Sequence, residues 1–304
     1  MSRTPRPRPA GHEALRRPSA GFAAALAVVI TAALTACGSP SDEPRFLGAE
    51  RVTVATHNDL PGISYSENYD RSGVDYLLFK RVKEELGVRF SEPVDVSSGD
   101  RIAQLEGGTA DMVIASFSIT PERMRKIDFV GPYFKTRQGF LVGSGGWDIT
   151  KIEDLRGKRV CTWDGTTSQE ALGNLKGMGV VVQVLDDASD CIDALVDGQV
   201  AAVSTDQAIL YGFAHQHAAE SLRVLPGLTI GAPQLYGIGL PKGHREDCRK
   251  LAGWLKEFVG TSEWTGDIAT SLPELPLADP GWVSTHKPSD ASIDARSCRD
   301  KPSP

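Results

Sequence analysis

From residue 50 onward, short apolar runs alternate with amphipathic stretches, the pattern of βα units around a largely parallel sheet. Residues 51–56 (Arg-Val-Thr-Val-Ala-Thr) alternate as a strand. Residues 73–87 put Val74, Leu77, Leu78, Val82 and Leu86 on one helical face, and Gly87 suits the helix end. Residues 110–116 form another strand, after which Thr120 can cap a helix with Pro121 in its first turn. A second series follows, with strands at 158–163, 180–185 and 201–205, a helix from about Gln169 and a short helix at 191–196. The last clear helix runs from about Arg245 to Val259, with Cys248, Leu251, Leu255, Phe258 and Val259 on one side. Beyond about Ser271 the many Pro and polar residues predict an extended tail.

The N-terminal segment follows a different logic. Ala20–Leu34 is uncharged, mostly apolar and short for a spanning helix, and it reads as the core of a signal peptide. It ends in Leu34-Thr-Ala-Cys-Gly38, which resembles the bacterial lipobox, so we expect a lipoprotein signal peptide at 1–36 and lipidation of Cys37. The Ser/Pro/acidic stretch that follows suits a flexible tether over 37–49. The expected location is the extracellular face of the cytoplasmic membrane, held there by lipid.

Composition sharpens this picture. The chain of 304 residues is 40% hydrophobic and 24% charged, which excludes a disordered, collagen-like or multi-span membrane protein. Its formal net charge is -6, but residues 1–36 hold five Arg and one Glu, so the remainder has 28 basic and 38 acidic residues and a net -10. An acidic body argues against nucleic acid as a partner. Besides Cys37 there are four cysteines, which allow three pairings. We favour Cys161–Cys191 and Cys248–Cys298, because each pair lies within one expected structural region and exported proteins retain disulfides. No two cysteines have the close spacing of a zinc or redox pair, so neither metal nor cofactor is expected.

In open α/β sheets ligands bind beyond the carboxyl ends of strands. The polar residues there are Ser116 and Ser118, Arg123 in the next helical turn, Thr166, Thr167 and Ser168 after the strand ending near Trp163, and Asp206. One cation, one anion and two groups of hydroxyl and amide donors suit an α-amino acid: a guanidinium can fork its carboxylate, and a carboxylate can take its ammonium.

Residues 115–123 (Ala-Ser-Phe-Ser-Ile-Thr-Pro-Glu-Arg) with 127–133 (Ile-Asp-Phe-Val-Gly-Pro-Tyr) resemble the signature region of the extracellular solute-binding proteins of family 3, the polar amino-acid receptors of ABC importers. Gly73-Val-Asp75, residues 155–168 and residues 236–243 fit in the same order. Within the family, residues 58–62, the Cys161/Cys191 pair and residues 201–212 look most like actinobacterial glutamate-binding lipoproteins. The resemblance implies a type II periplasmic-binding-protein fold of two α/β lobes joined by two hinge strands. Lobe 1 is expected at 50–137 plus 237–304, lobe 2 at 138–236. It implies a monomer that captures a polar amino acid, glutamate favoured, by hinge closure and delivers it to ABC permease subunits. It also implies a ligand set of Arg123 for the carboxylate, Asp206 for the ammonium, and further bonds from Ala115, Ser116, Ser118, Thr166, Thr167 and Ser168. The sequence departs from the family at His57, where glutamate binders often carry a cation. A protonated His57 facing an acidic ligand predicts affinity that falls between about pH 5.5 and 7.5, from an ordinary pKa of about 6.5. The alternative for His57 is a surface loop.

Two other readings remain open at this stage: an amino-acid sensor without transport, and a cyclohexadienyl-dehydratase-like enzyme on the same fold. The histidines form no Ser-His-Asp or paired-acid set at matched strand ends, so an enzyme is not expected.

Overall fold

A computed structural model describes residues 47–303. The expected signal peptide, Cys37 and all but the last residues of the tether lie outside the described residues. The strands are β1 (Val54–Thr56), β2 (Asp59–Leu60), β3 (Ser64–Glu67), β4 (Asp70–Ser72), β5 (Val94–Asp95), β6 (Met112–Val113), β7 (Asp128–Val142), β8 (Arg159–Trp163), β9 (Val181–Leu185), β10 (Ala202–Asp206), β11 (Arg223–Val224) and β12 (Ile230–Leu240). The main sheet runs β5-β1-β6-β12-β7-β10-β8-β9, with β11 on β7, while β2, β3 and β4 form a small separate sheet.

The chemistry of the fold lies in the two long strands at the middle of that order. Strand β1 pairs in parallel with β5 and β6, and β8 in parallel with β9 and β10. Strands β7 and β12 pair antiparallel from Asp128↔Leu240 to Gln138↔Ile230, and only β7 goes on to pair with β10. Two parallel βα lobes are therefore joined by two crossing strands, the arrangement of a type II periplasmic-binding-protein fold. The crossing itself is irregular, with a register shift between Ile230 and Gln234.

Helices pack on these lobes as the apolar spacing dictates. Helix α1 (Val74–Leu86) buries Val74, Leu78 and Val82, and Gly87 closes it in the left-handed conformation, its amide bonded to the Lys83 carbonyl. Leu77 and Leu86 are only half-buried; Asp75 and Phe79 complete the inner face instead. The other helices are α2 (Arg101–Glu106), α3 (Pro121–Lys126), α4 (Thr167–Gly173), α5 (Ala188–Val196), α6 (Gln207–Gln216) and α7 (Arg245–Gly260). Thr120 caps α3 by accepting the Arg123 amide, with Pro121 in the first turn. Helix α7 buries Cys248, Leu251, Leu255, Phe258 and Val259, and each of these Leu, Phe and Val side chains is worth about 1.5–3 kcal/mol when taken from water.

The expected extended tail is corrected. Helices α8 (Ser262–Ser271), α9 (Glu274–Ala278), α10 (Trp282–His286) and α11 (Asp290–Asp294) occupy that stretch. Leu275, Trp282 and Ile293 are buried. Trp282 stacks on Trp264, and His286 stacks on Phe134 of β7. The last three helices are single turns separated by Pro273, Pro280 and Pro288, too short to show a helical period in sequence. Two disulfides complete the frame: Cys161–Cys191 ties β8 to α5, and Cys248–Cys298 ties α7 to the tail.

Candidate functional site

The carboxyl ends of the parallel strands of both lobes face one cavity. Its lining includes Ser98, Arg101, Ser116, Ser118 and Arg123 from the first lobe, and Trp163, Thr166, Thr167 and Asp206 from the second, with Leu60 and Ile209 as apolar walls.

The first lobe supplies two cations. Arg123 sits in the capped first turn of α3, donating to the carbonyl of Ser118 (2.9 Å) and across the cleft to that of Gly165 (2.9 Å). Arg101, the first residue of α2, is 3% exposed and donates to the carbonyls of Ser98, Ala115 and Gly165. The ring of Phe117 lies under both guanidiniums, 4.4 Å from Arg101 and 5.0 Å from Arg123. Burial lowers both arginine pKa values, that of Arg123 to about 10, and the charge of Arg123 adds to the effect at Arg101. Gly165 bridges the lobes by accepting from both arginines. Its φ of +70° lies in the left-handed region, and a Cβ there would stand 2.5 Å from the Gly99 Cα, so only glycine lets its carbonyl reach both arginines.

The second lobe supplies the anion. Asp206 ends β10, 5% exposed, and its Oδ2 accepts the Tyr236 hydroxyl at 2.6 Å. Its Oδ1 is buried without a hydrogen-bond partner among the described residues. Burial raises the Asp206 pKa to about 6, opposed by the Tyr236 hydroxyl and then by Arg101 and Arg123. Behind the wall, Asp75 accepts the Tyr133 hydroxyl (2.6 Å) and the Ser116 amide (2.8 Å). That second bond holds Ser116 at φ +41°, a conformation of the kind that costs on the order of 1–3 kcal/mol. Burial raises the Asp75 pKa to about 7.

Of the residues singled out from sequence, the structure brings Ser116, Ser118, Arg123, Thr166, Thr167 and Asp206 to this cavity. The threonine hydroxyls already have work there. Thr166 Oγ1 caps α4 through the Gln169 amide and contacts the Trp163 carbonyl, while Thr167 accepts from Gln138 and donates to Gln234. Ala115 and Ser168 are buried behind the lining, Ala115 giving its carbonyl to Arg101. His57 differs from both expectations: it is neither a surface loop residue nor a member of the lining. It is 3% exposed and its Nε2 lies 3.3 Å from the Ser98 hydroxyl. Burial, then the charge of Arg101, pushes its pKa down to about 3, so it carries no charge near neutral pH.

Sequence reasoning missed Arg101 and Ser98. Strand β5 before them is two residues long and its side chains are exposed, so no apolar run announces a strand end. The signal that was available is local: a Ser-Ser-Gly-Asp cluster running into Arg101 has the same form as Thr120-Pro-Glu-Arg123, a polar turn placing an arginine in a first helical turn.

The cavity therefore sets two guanidiniums in one lobe opposite a half-satisfied carboxylate in the other, and known proteins share this frame. A glutamate-binding protein, GluB, from Corynebacterium efficiens is 32% identical over 266 residues, covering 83% of this chain and 90% of that protein. The glutamine-binding protein GlnH of a Bacillus subtilis ABC transporter is 30% identical over 208 residues, covering 67% of this chain and 74% of its own. An ancestral arginine-binding protein solved with arginine superposes with a TM-score of 0.67 at 30% identity, covering 73% of this chain and 98% of its own. These relatives are solute-binding proteins rather than enzymes. With residues 52–270 matching the family's pattern across both lobes and the crossing strands, this chain belongs to the bacterial extracellular solute-binding proteins, family 3.

Proposed function

We propose that this protein captures an acidic amino acid, glutamate or aspartate, between its lobes and presents it to the permease of an ABC importer, acting as a receptor without catalysis. The observation that carries the reading is the buried, unpartnered Oδ1 of Asp206 opposite Arg101 and Arg123. An ammonium satisfies that oxygen. The two guanidiniums then call for two carboxylates, and a zwitterion with an acidic side chain is the amino acid that has both. A neutral side chain would leave Arg101 without an anion, and a basic one would set two like charges together. In this reading Arg123 takes the α-carboxylate, Asp206 the ammonium, and Ser116 and Ser118 add hydrogen bonds. Lobe limits at 50–137 plus 237–304 and at 138–236 place the cations and the anion on opposite jaws, so ligand charge draws the jaws together. The lipobox-like segment around Cys37 supports attachment to the outer face of the cytoplasmic membrane, where an importer's receptor is needed.

Calorimetry with L-glutamate, L-aspartate, L-glutamine and L-arginine tests the proposal. Tight binding of an acidic amino acid, glutamine at least tenfold weaker and no arginine binding is the expected result; preference for glutamine or arginine would overturn the choice of ligand. Lipidation is tested separately, by loss of fatty-acid labelling in a Cys37→Ala variant.

A further inference from the structure

Residues 59–62 of the first lobe comprise strand β2 and the start of the turn into β3, and three of them reach beyond that small sheet. Leu60 lines the ligand cavity. Asp59 extends across the cleft, its Oδ2 accepting the Ala188 amide at 3.1 Å. Ala188 is the first residue of α5, and Asp187 before it makes no side-chain cap, so the buried Ala188 amide, which has no partner within the helix, is served from the opposite lobe. The Cys161–Cys191 bond holds α5 to β8, so a pull on its N-terminus is a pull on the whole second lobe. Beside it, α6 turns Gly212 toward the Pro61 carbonyl. A Cβ at position 212 would lie 1.8 Å from that oxygen, so no side chain fits while the two elements are together.

We propose that residues 59–62 form the latch of lobe closure, with Asp59 as an interlobe helix cap and Pro61–Gly212 as the seat on which the lobes come to rest. This rests on the reading of the cleft as an amino-acid site. Leu60 connects the two functions, because the segment that seats against the second lobe also carries a wall of the ligand cavity. A ligand that orders Leu60 thereby sets Asp59 and Pro61 in register for α5 and α6, and affinity includes the latch without any ligand contact to it.

Asp59→Ala and Gly212→Ala test this with L-glutamate as probe. Alanine is the better helix former inside α6, so Gly212→Ala leaves the second lobe free to fold while obstructing the seat. For Asp59→Ala we expect about fivefold weaker binding, the size of a lost helix cap, with faster dissociation and faster hydrogen exchange at the Ala188 amide. For Gly212→Ala we expect a more open small-angle X-ray scattering profile than the parent at saturating glutamate. Unchanged Ala188 exchange in the first variant together with an unchanged scattering profile in the second would overturn the latch. Should the parent protein bind no amino acid, the reading of the cleft fails; binding by the parent with unchanged exchange and scattering in the variants overturns the latch alone.

Discussion

Lowering the pH from 7.5 to 5 removes charge from one group that the proposed ligand needs. Asp206 pairs with the ammonium only when ionised, and burial has raised its pKa to about 6 against the pull of Tyr236, Arg101 and Arg123. At pH 5, one unit below, about one molecule in eleven is ionised, so affinity should be about tenfold lower than at pH 7.5, where ionisation is almost complete. The ligand's side-chain carboxylate, with an ordinary pKa of about 4.3, stays mostly charged across this window. His57, held near 3, contributes no change in charge there, so the direction is opposite to the fall with rising pH expected from a protonated His57. Asp75 titrates nearby, at about 7, through its bonds to Ser116 and Tyr133. The control is therefore Asp206→Asn, which should bind weakly with little slope; any slope that remains belongs to Asp75. Calorimetry at half-unit steps of pH measures this. Affinity that is flat, or higher at pH 5, would refute the role of Asp206.

Arg101→Met keeps much of the buried volume and removes the second cation, so glutamate affinity should fall at least tenfold relative to that for glutamine; the ratio of the two, by calorimetry, is the readout. Cys298→Ser opens a loop of 50 residues, which chain entropy values at about 4 kcal/mol, and should lower the melting temperature by roughly 10 °C in calorimetric scans. His57 is neutral when folded, down to about 3, but takes a proton near 6.5 when unfolded. It therefore lowers stability as pH falls below about 6.5, and urea midpoints of His57→Asn should decline less steeply with acid than those of the parent.

What could be read without coordinates was what local rules govern. The Thr120-Pro121 cap, the Gly87 helix end and the buried stripe of α7 follow from spacing and side-chain chemistry within a few residues, and each stands where those rules put it. The polar residues at the ends of β6, β8 and β10 were legible for the same reason, since a strand end and a following cap are both local signals. Tertiary structure decided what those residues are free to do. The Thr166 and Thr167 hydroxyls are taken up by a helix cap and by Gln138 and Gln234, residues distant in sequence. His57 is neutral because the fold buries it beside Arg101, and Arg101 is part of the site because α2 starts at the cleft. The tail helices exist because Trp282 and His286 find Trp264 and Phe134 to stack on, a stabilisation no single-turn helix supplies by itself. Local sequence marked most of the polar side chains that stand at the cleft; the presence of Arg101 among them, and the charge and freedom of all of them, depend on burial and long-range partners, which only the folded chain brings together.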